Sequence, residues 1–590
     1  MSNSDDNEKD EKEKNSMLEI KEINYITDRE IFENELREKH NKDEINHYFD
    51  VITENKVLGW ESKLIESKLD IRDFSKVNDA DILNEEFQDK KTTRIIKSDL
   101  ERTRVQESIY MKTFREYTFQ LIIYYIKQNN ISYKQGLNEI AGPFILLKYK
   151  LSISFTEIYT MLVCFIDKFL TNYFHESDFY SLKSSLSLIN LLLRYHDPEL
   201  FNRFEFSLIS PDLYATSWLL TLFSNKCSLN VVYHLWYKLI LFDDNLFPHF
   251  FITSYLIKNK KKFFEVDCTI ILSVLSQLHI DTIDEVDDIL NFAAELRDKT
   301  PNSFYLFANK LEIFNLDSKN LKILYEVYKP NELLVLPMFP TDIFTITYRY
   351  LIGCPDEKCK NFIINNNDLT TKNNSSKCLF CRTKQIKSKL FYIIIDLRIF
   401  GDKNDNKNLN NGINISSDTF PGFLPKSIAI TNEELDNLNF PKNILEEYKN
   451  DKDKNHFIII TSETKYFEEY EKEYYKDKGR RSSKVGIFYK GYKELDINKA
   501  KELSKKSKKS KHYSLLKEFD NFKKLIEEMD NEGFKYVSFA YGGYKNIHSA
   551  AKKYNIELLE HKKNCCICKE EKSGIISSIL NIGNLGNFFN

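Results

Sequence analysis

The fold of this sequence is decided by two stretches, Ile96-Lys97-Ser98-Asp99-Leu100-Glu101-Arg102-Thr103 and, further along, Tyr133-Lys134-Gln135-Gly136-Leu137-Asn138-Glu139. The first places an arginine three residues after an aspartate, and the second places a glutamine two residues after a tyrosine. Phosphoryl transfer from a nucleotide to water requires a positive charge over the γ-phosphate and a group that orients the attacking water. One arginine and one glutamine on separate segments are able to supply both.

The spacing I-x-x-D-x-x-R-T followed by Y-x-Q-G resembles the arginine-finger and glutamine-finger motifs of the TBC (Tre-2/Bub2/Cdc16) domain, which activates Rab GTPases. The segments 196–200 and 209–223 resemble a later part of the same domain, and the resemblance covers roughly residues 50–340. It implies an all-α domain, which we place at residues 29–345. Periodic apolar residues agree with helices there, including the stripe Tyr110, Phe114, Tyr117, Leu121 and Tyr124 before Asn129-Asn130. An unrelated helical bundle is the alternative.

The resemblance implies roles for four side chains. Arg102 would stabilise charge in the transition state and Gln135 would position the hydrolytic water, while Asp99 and Tyr133 orient these two fingers from behind. GTP and Mg²⁺ then belong to the partner Rab, so the protein is a GTPase activator and not itself an enzyme. The alternative from the residues alone is that Arg102 pairs with Asp99 or Glu101 and that Gln135 caps a helix.

A second domain, of the α/β class with a parallel sheet, is predicted after residue 388. Three short β-branched or aromatic runs at 391–396, 457–460 and 536–540 are typical of strands buried on both faces. Motifs around Asp396-Leu397-Arg398, 420–428 and 537–544 resemble a rhodanese-like domain. We place it at residues 389–560, with inserts at 401–417 and 476–511.

The predicted rhodanese-like domain lacks the nucleophile of a sulfurtransferase. Sulfur transfer requires a thiolate in the loop after the central strand. That loop reads Thr461-Ser462-Glu463-Thr464-Lys465-Tyr466, and no cysteine lies between Cys381 and Cys565. We therefore expect a scaffold; a weaker alternative is an anion-binding turn at Thr461 and Ser462.

Two pairs of cysteines lie between these domains, in a linker at residues 346–388. Their spacing suits a tetrahedral structural zinc, and free thiols in a loop are the alternative. The predicted ligands are Cys354, Cys359, Cys378 and Cys381. For the tail, residues 561–590, we expect an exposed segment, and palmitoylation of the adjacent cysteines Cys565, Cys566 and Cys568 is a weaker alternative.

Composition sets the remaining expectations. A chain of 590 residues is too long for one core, and its net charge of −3 argues against a nucleic-acid binder. No secretory signal and no apolar run of membrane-spanning length are found, so the cytoplasm is expected. Residues 1–28 read as a disordered charged arm, and the lysine-rich insert as either disordered or attracted to anionic lipid.

The combination of a TBC domain with a rhodanese-like domain implies a place in vesicle traffic. The expected process is transport from endosomes to the trans-Golgi network, with peripheral attachment to those membranes. A Rab GTPase is the expected partner, together with golgins and endosomal coat or WASH-type components. The alternative function is a non-catalytic adaptor that tethers endosome-derived vesicles to golgins.

Overall fold

The structure, a computed structural model, describes residues 76–105, 113–151, 153–348, 390–401, 413–414, 420–430, 434–435, 440–463, 510–554, 556–562 and 564–572. Several predictions fall on other residues: the arm at 1–28, nearly all of the lysine-rich insert, and the proposed zinc ligands Cys354, Cys359, Cys378 and Cys381. These predictions lie outside the described residues.

The first part of the chain is helical. Its helices are α1 (Asp79–Leu83), α2 (Lys90–Leu100), α3 (Phe114–Gln128), α4 (Leu137–Leu151), α5 (Phe155–Phe169), α6 (Thr171–His175), α7 (Tyr180–His196), α8 (Pro198–Phe206), α9 (Pro211–Thr221), α10 (Leu229–Phe242), α11 (Phe247–Lys258), α12 (Lys260–Phe264), α13 (Ile271–Gln277), α14 (Ile283–Lys299), α15 (Ser303–Lys310) and α16 (Leu321–Tyr328). Among the described helices, none combines the length and the apolar character needed to span a bilayer.

Local sequence explains where these helices begin and end. Helix α3 ends where the asparagine pair predicted it: the Asn129 side chain donates to the carbonyl of Tyr125 (2.7 Å), and Asn130 adopts a left-handed φ of 51°. Helix α5 begins with a capping box, in which Ser154 and Glu157 satisfy each other's backbone amides. The predicted helical character of this part is confirmed.

The helical core is aromatic. Trp236 packs against Phe144 and Phe165, with ring centroids 5.7 and 4.6 Å away, and a second group surrounds Trp218. Burying each such ring stabilises the fold by about 1.5–3 kcal/mol. Because Phe144 belongs to α4, this packing fixes the helix that follows the Gln135 segment.

The second part contains a five-stranded sheet. Its strands are β1 (Leu336–Met338), β2 (Phe391–Asp396), β5 (Ser427–Ala429), β6 (Asn455–Ile460) and β7 (Val537–Ala540), in the order β1-β7-β6-β2-β5 and all parallel. The predicted β-branched or aromatic runs supply three of these strands, β2, β6 and β7. A separate pair joins β3 (Phe400–Gly401) to β4 (Ile413–Asn414). The accompanying helices are α17 (Pro340–Tyr348), α18 (Lys442–Leu445), α19 (Ser510–Asn531), α20 (Gly543–Lys553) and α21 (Cys566–Lys572).

The helical and α/β parts are in direct contact. The backbone amide of Tyr536 donates to the carbonyl of Tyr195 in α7 (2.8 Å), and the neighbouring Arg194 forms an ion pair with Asp530 of α19. Strand β1 comes from within the range predicted for the TBC domain, yet it pairs with β7. The sheet is therefore completed by a segment that directly follows the helices.

Candidate functional site

The end of helix α2 directs one arginine toward solvent and buries the next one. Asp89 caps the start of this helix, because its side chain accepts from the amides of Lys91 and Thr92. At the other end the chain turns: Arg102 is exposed over 70% of its side chain, whereas Thr103 is fully buried and Arg104 nearly so. Only Arg102 of the two arginines is therefore available to a partner.

Asp99 links the two predicted finger segments. Its carboxylate is 6% exposed; it accepts from the Arg102 guanidinium at 2.7 Å and from the Tyr133 hydroxyl at 3.0 Å. Burial, followed by the nearby Asp99 charge, raises the pKa of Tyr133, so its hydroxyl stays protonated and remains a donor. The structure thus brings three of the four predicted residues into one hydrogen-bonded chain.

The turn that carries Gln135 is anchored on both sides. Before it, the Lys134 ammonium donates to the carbonyls of Tyr173 (3.0 Å) and Glu176, and burial lowers its pKa to about 8. After it, Gly136 adopts a φ of 109°, which favours glycine. Gln135 between them is exposed.

The network behind this turn is built on Asn138. The amide of Gly136 donates to Asn138 Oδ1 (3.0 Å), and Asn138 Nδ2 donates to Thr103 Oγ1 (2.7 Å). Asn138, and not Gln135, therefore binds this amide at the start of α4. The pairing of Arg102 with Asp99, considered above as an alternative, is present, although Arg102 remains largely exposed.

Sequence reasoning missed the positioning role of Arg104. Its guanidinium donates to the carbonyl of Cys227 and to Ser224 Oγ, both at 2.9 Å, and Ser224 Oγ donates to the carbonyl of Glu139 at 2.7 Å. These bonds tie the Arg102 segment to α4 and to the turn after α9. The only trace in the sequence is a second arginine two residues after the first.

In the α/β part, the D-x-R motif forms a buried ion pair. Arg398 donates through Nε and Nη2 to the Asp396 carboxylate, at 2.9 and 2.7 Å, and both side chains are essentially inaccessible to solvent. Arg398 also donates to the carbonyl of Gly422 (2.9 Å) and lies 3.4 Å above the Tyr544 ring. The pair therefore binds the end of β2 to the loop at 420–424 and to α20.

The loop after β6, where a sulfurtransferase has its nucleophile, is bound to an internal acid. The amide of Ser462 and its hydroxyl donate to the Glu518 carboxylate at 2.7 and 2.8 Å, and the amide of Ile399 also donates to it. Because these donors already bind a carboxylate of the chain, the anion-binding turn considered at Thr461 and Ser462 is not supported.

Glu518 makes the stability of the α/β part dependent on pH. Burial raises its pKa to about 7, against the lowering effect of bonds from Ser462. In the unfolded chain the Glu518 side chain loses its proton near pH 4.5. The free energy of unfolding should therefore fall as the pH rises from 4.5 to 7, by about 3 kcal/mol in all. Burial lowers the pKa of His456 to about 3, so this residue has the opposite effect: its contribution to the free energy of unfolding rises as the pH rises toward 6.5.

The contribution of Glu518 is therefore measured as a difference between proteins. The measurement is denaturant-dependent hydrogen exchange of β6 in wild type and in Glu518→Gln, at pH 5 and pH 8. Because both proteins contain His456, the difference between them reports the contribution of Glu518 alone. We expect wild type to lose more protection than the variant between the two values. Equal losses would contradict the prediction.

A further cluster was not predicted as a site. His548, His561, Cys565 and Cys568 place one potential ligand atom each within 4.8 Å of one another, so the structure contains a possible His₂Cys₂ metal-binding group. Cys565 is fully buried, contrary to the exposed tail expected there. The spacing His561-x3-Cys565-x2-Cys568 was the available signal; it lacked only the distant His548.

Comparisons with known proteins agree with the helical assignment. The profile of the Rab-GTPase-TBC domain matches residues 60–264. The TBC domain-containing protein kinase-like proteins of Homo sapiens and Gallus gallus are each 28% identical over 159 residues, which is 27% of this chain and 17% of theirs. The protein of the same description from Dictyostelium discoideum is 27% identical over 173 residues, 29% of this chain and 16% of that protein.

This chain thus spans less than a fifth of the length of the curated relatives it matches. Among solved structures, the Ypt/Rab-GAP domain of Gyp1p is similar over 41% of this chain and 80% of that one, at 16% identity and a TM-score of 0.31. The part of the chain that is similar to a Rab-GTPase-TBC domain, residues 60–264, thus falls in the helical part.

Proposed function

We propose that this protein is a GTPase-activating protein for a Rab-family GTPase, and that it supplies Arg102 and Gln135 in trans. The observation that carries the proposal is that Arg102 and Gln135 are both exposed, on two segments that the buried Asp99 joins through its bonds with Arg102 and Tyr133. A merely structural arginine would be expected to direct its guanidinium inward, as Arg104 does.

In the proposed mechanism, Arg102 leaves Asp99 when the Rab docks and its guanidinium donates to the oxygens of the transferring γ-phosphoryl group. Gln135 accepts from the attacking water and orients it in line. Asp99 and Tyr133 act as positioning residues, because they hold the two segments in register without contacting the nucleotide. The Rab provides GTP, Mg²⁺ and the rest of its active site.

We extend the proposal to the α/β part and to the place of the protein in the cell. The D-x-R motif and the parallel sheet support a rhodanese-like scaffold without sulfurtransferase activity. Other parts of the proposal rest on the sequence alone. They are the resemblance of the motifs to TBC domain family member 23, attachment to trans-Golgi or endosomal membranes, and contacts with golgins and WASH-type components. The non-catalytic tether is the alternative that the activity test decides.

The test is single-turnover GTP hydrolysis by a complete panel of Rabs, with and without this protein. We expect one Rab, or a few related Rabs, to hydrolyse GTP about 10³–10⁵ times faster. Because specificity depends on a shaped surface, most members of the panel should not respond. Absence of stimulation for every Rab would overturn the activator function and leave the tether.

A further inference from the structure

We propose that His548, His561, Cys565 and Cys568 bind one zinc ion in a closed structural site that holds the segment 556–572 against the α/β part. Two imidazoles and two thiols form a ligand set typical of tetrahedral structural zinc. Four protein ligands leave no open position for a water or a substrate. The site is therefore structural and independent of the GTPase-activating function.

The distances between the ligand atoms match a tetrahedron around one ion. With Zn–N bonds of about 2.0–2.1 Å and Zn–S bonds of about 2.3 Å, two nitrogens lie about 3.3 Å apart, and a nitrogen and a sulfur about 3.6 Å apart. Here the Nε2 atoms of His548 and His561 are 3.1 Å apart. His548 Nε2 is 3.3 Å from Cys565 Sγ and 3.7 Å from Cys568 Sγ, and His561 Nε2 is 3.8 Å from Cys568 Sγ.

Hydrogen bonding alone does not account for this convergence. An imidazole nitrogen carries either one proton or one lone pair, so it makes one good hydrogen bond in the plane of the ring. His548 Nε2 instead faces three potential partners at once: His561, Cys565 and Cys568. A single ion at the centre satisfies all four side chains together.

The fold brings the ligands together from separate elements. His548 lies on α20 and is 2% exposed, and Cys565 and Cys568 lie at the start of α21. Between them, backbone bonds join Leu559 to Phe423 in both directions, at 2.9 and 3.0 Å. The zinc would add a second attachment beyond this bridge and fix the segment to α20.

This attachment also affects the buried ion pair described above. A Cβ atom on Gly422 would lie 2.8 Å from the carbonyl oxygen of Leu559, so the two segments are in close contact there. Arg398 donates to the carbonyl of the same glycine. Through Gly422, the zinc-held segment covers the loop that receives Arg398.

The test is the zinc content of the full chain, by elemental analysis, in wild type and in the double variant Cys565→Ser, Cys568→Ser. We expect the double variant to lose about one equivalent of zinc per chain. Cys566→Ser is the matched control, because Cys566 is an exposed cysteine in the same helix; it should keep wild-type content. Equal zinc in the double variant and in wild type would overturn the proposal.

Two further measurements separate loss of metal from misfolding and from the zinc site predicted in the linker. His561→Cys retains four ligands and should keep its zinc, whereas His561→Ala should lose it. Cobalt substitution should give thiolate charge-transfer bands that weaken in the double variant, and those of the His₂Cys₂ site should persist in a Cys354→Ser, Cys359→Ser variant. If His561→Ala kept its metal, or if the bands followed the linker cysteines alone, the assignment would be wrong.

Discussion

Replacing Arg102 with alanine should lower the stimulated rate of GTP hydrolysis by about 10³–10⁵, to nearly the intrinsic rate of the Rab. The side chain is 70% exposed, so its removal leaves no cavity and little change in stability. Its guanidinium is the group proposed to meet the charge that develops on the γ-phosphoryl oxygens. The measurement is single-turnover hydrolysis with the responsive Rab, together with the affinity for the GTP-loaded Rab.

Three variants make the result specific. Gln135→Ala should also remove most of the stimulation, because the attacking water loses its orientation. Arg94→Ala takes an exposed arginine from the same helix α2 and should leave the rate within a few-fold of wild type. Arg102→Lys keeps the charge but loses the planar fork, so we expect only a small part of the rate to return. Full activity of Arg102→Ala would show that Arg102 does not act as an arginine finger.

Arg398→Ala should destabilise the α/β part by about 3–5 kcal/mol, the largest stability effect that we expect from a single substitution. The change leaves the Asp396 carboxylate in a site with 0% exposure and without its bidentate partner. It also removes the donor to Gly422 and the cation over the Tyr544 ring. The measurement is the denaturant dependence of hydrogen exchange in the peptides that contain β2 and β6.

The control is an ion pair of the same length at the surface. Lys454 lies 2.7 Å from Asp451, as Arg398 does from Asp396, but the two side chains are 63% and 51% exposed. Lys454→Ala should therefore leave the stability of the α/β part nearly unchanged. Similar losses for Arg398→Ala and Lys454→Ala would show that burial is not what makes the first pair important.

The parts of this structure that could be predicted are those encoded within a short window. The apolar stripe before Asn129 predicted α3, and the β-branched run before Asp396 predicted β2, because each pattern repeats with the period of its own element. The pairing of Arg102 with Asp99 was also among the alternatives, since the two lie three positions apart. That Arg102 acts on a Rab stays a prediction.

What escaped prediction depends on contacts between distant segments. Whether Arg102 or Arg104 turns inward is decided by the carbonyls of the turn after α9, which no local pattern reveals. His548 joins the cysteines near the end of the chain only because α20 and α21 pack at the same place. Strand β1 has three residues, one of which is a proline, so it is too short for a recognisable strand pattern.

That short strand constrains the order in which the chain can fold during synthesis. Leu336 pairs with Ser538, so β1 emerges from the ribosome long before the only strand it pairs with in this sheet. The helices can pack as soon as they are made, whereas β1 must keep its backbone groups solvated until β7 arrives. A protein truncated between the two parts would expose this edge permanently and offer it to other chains.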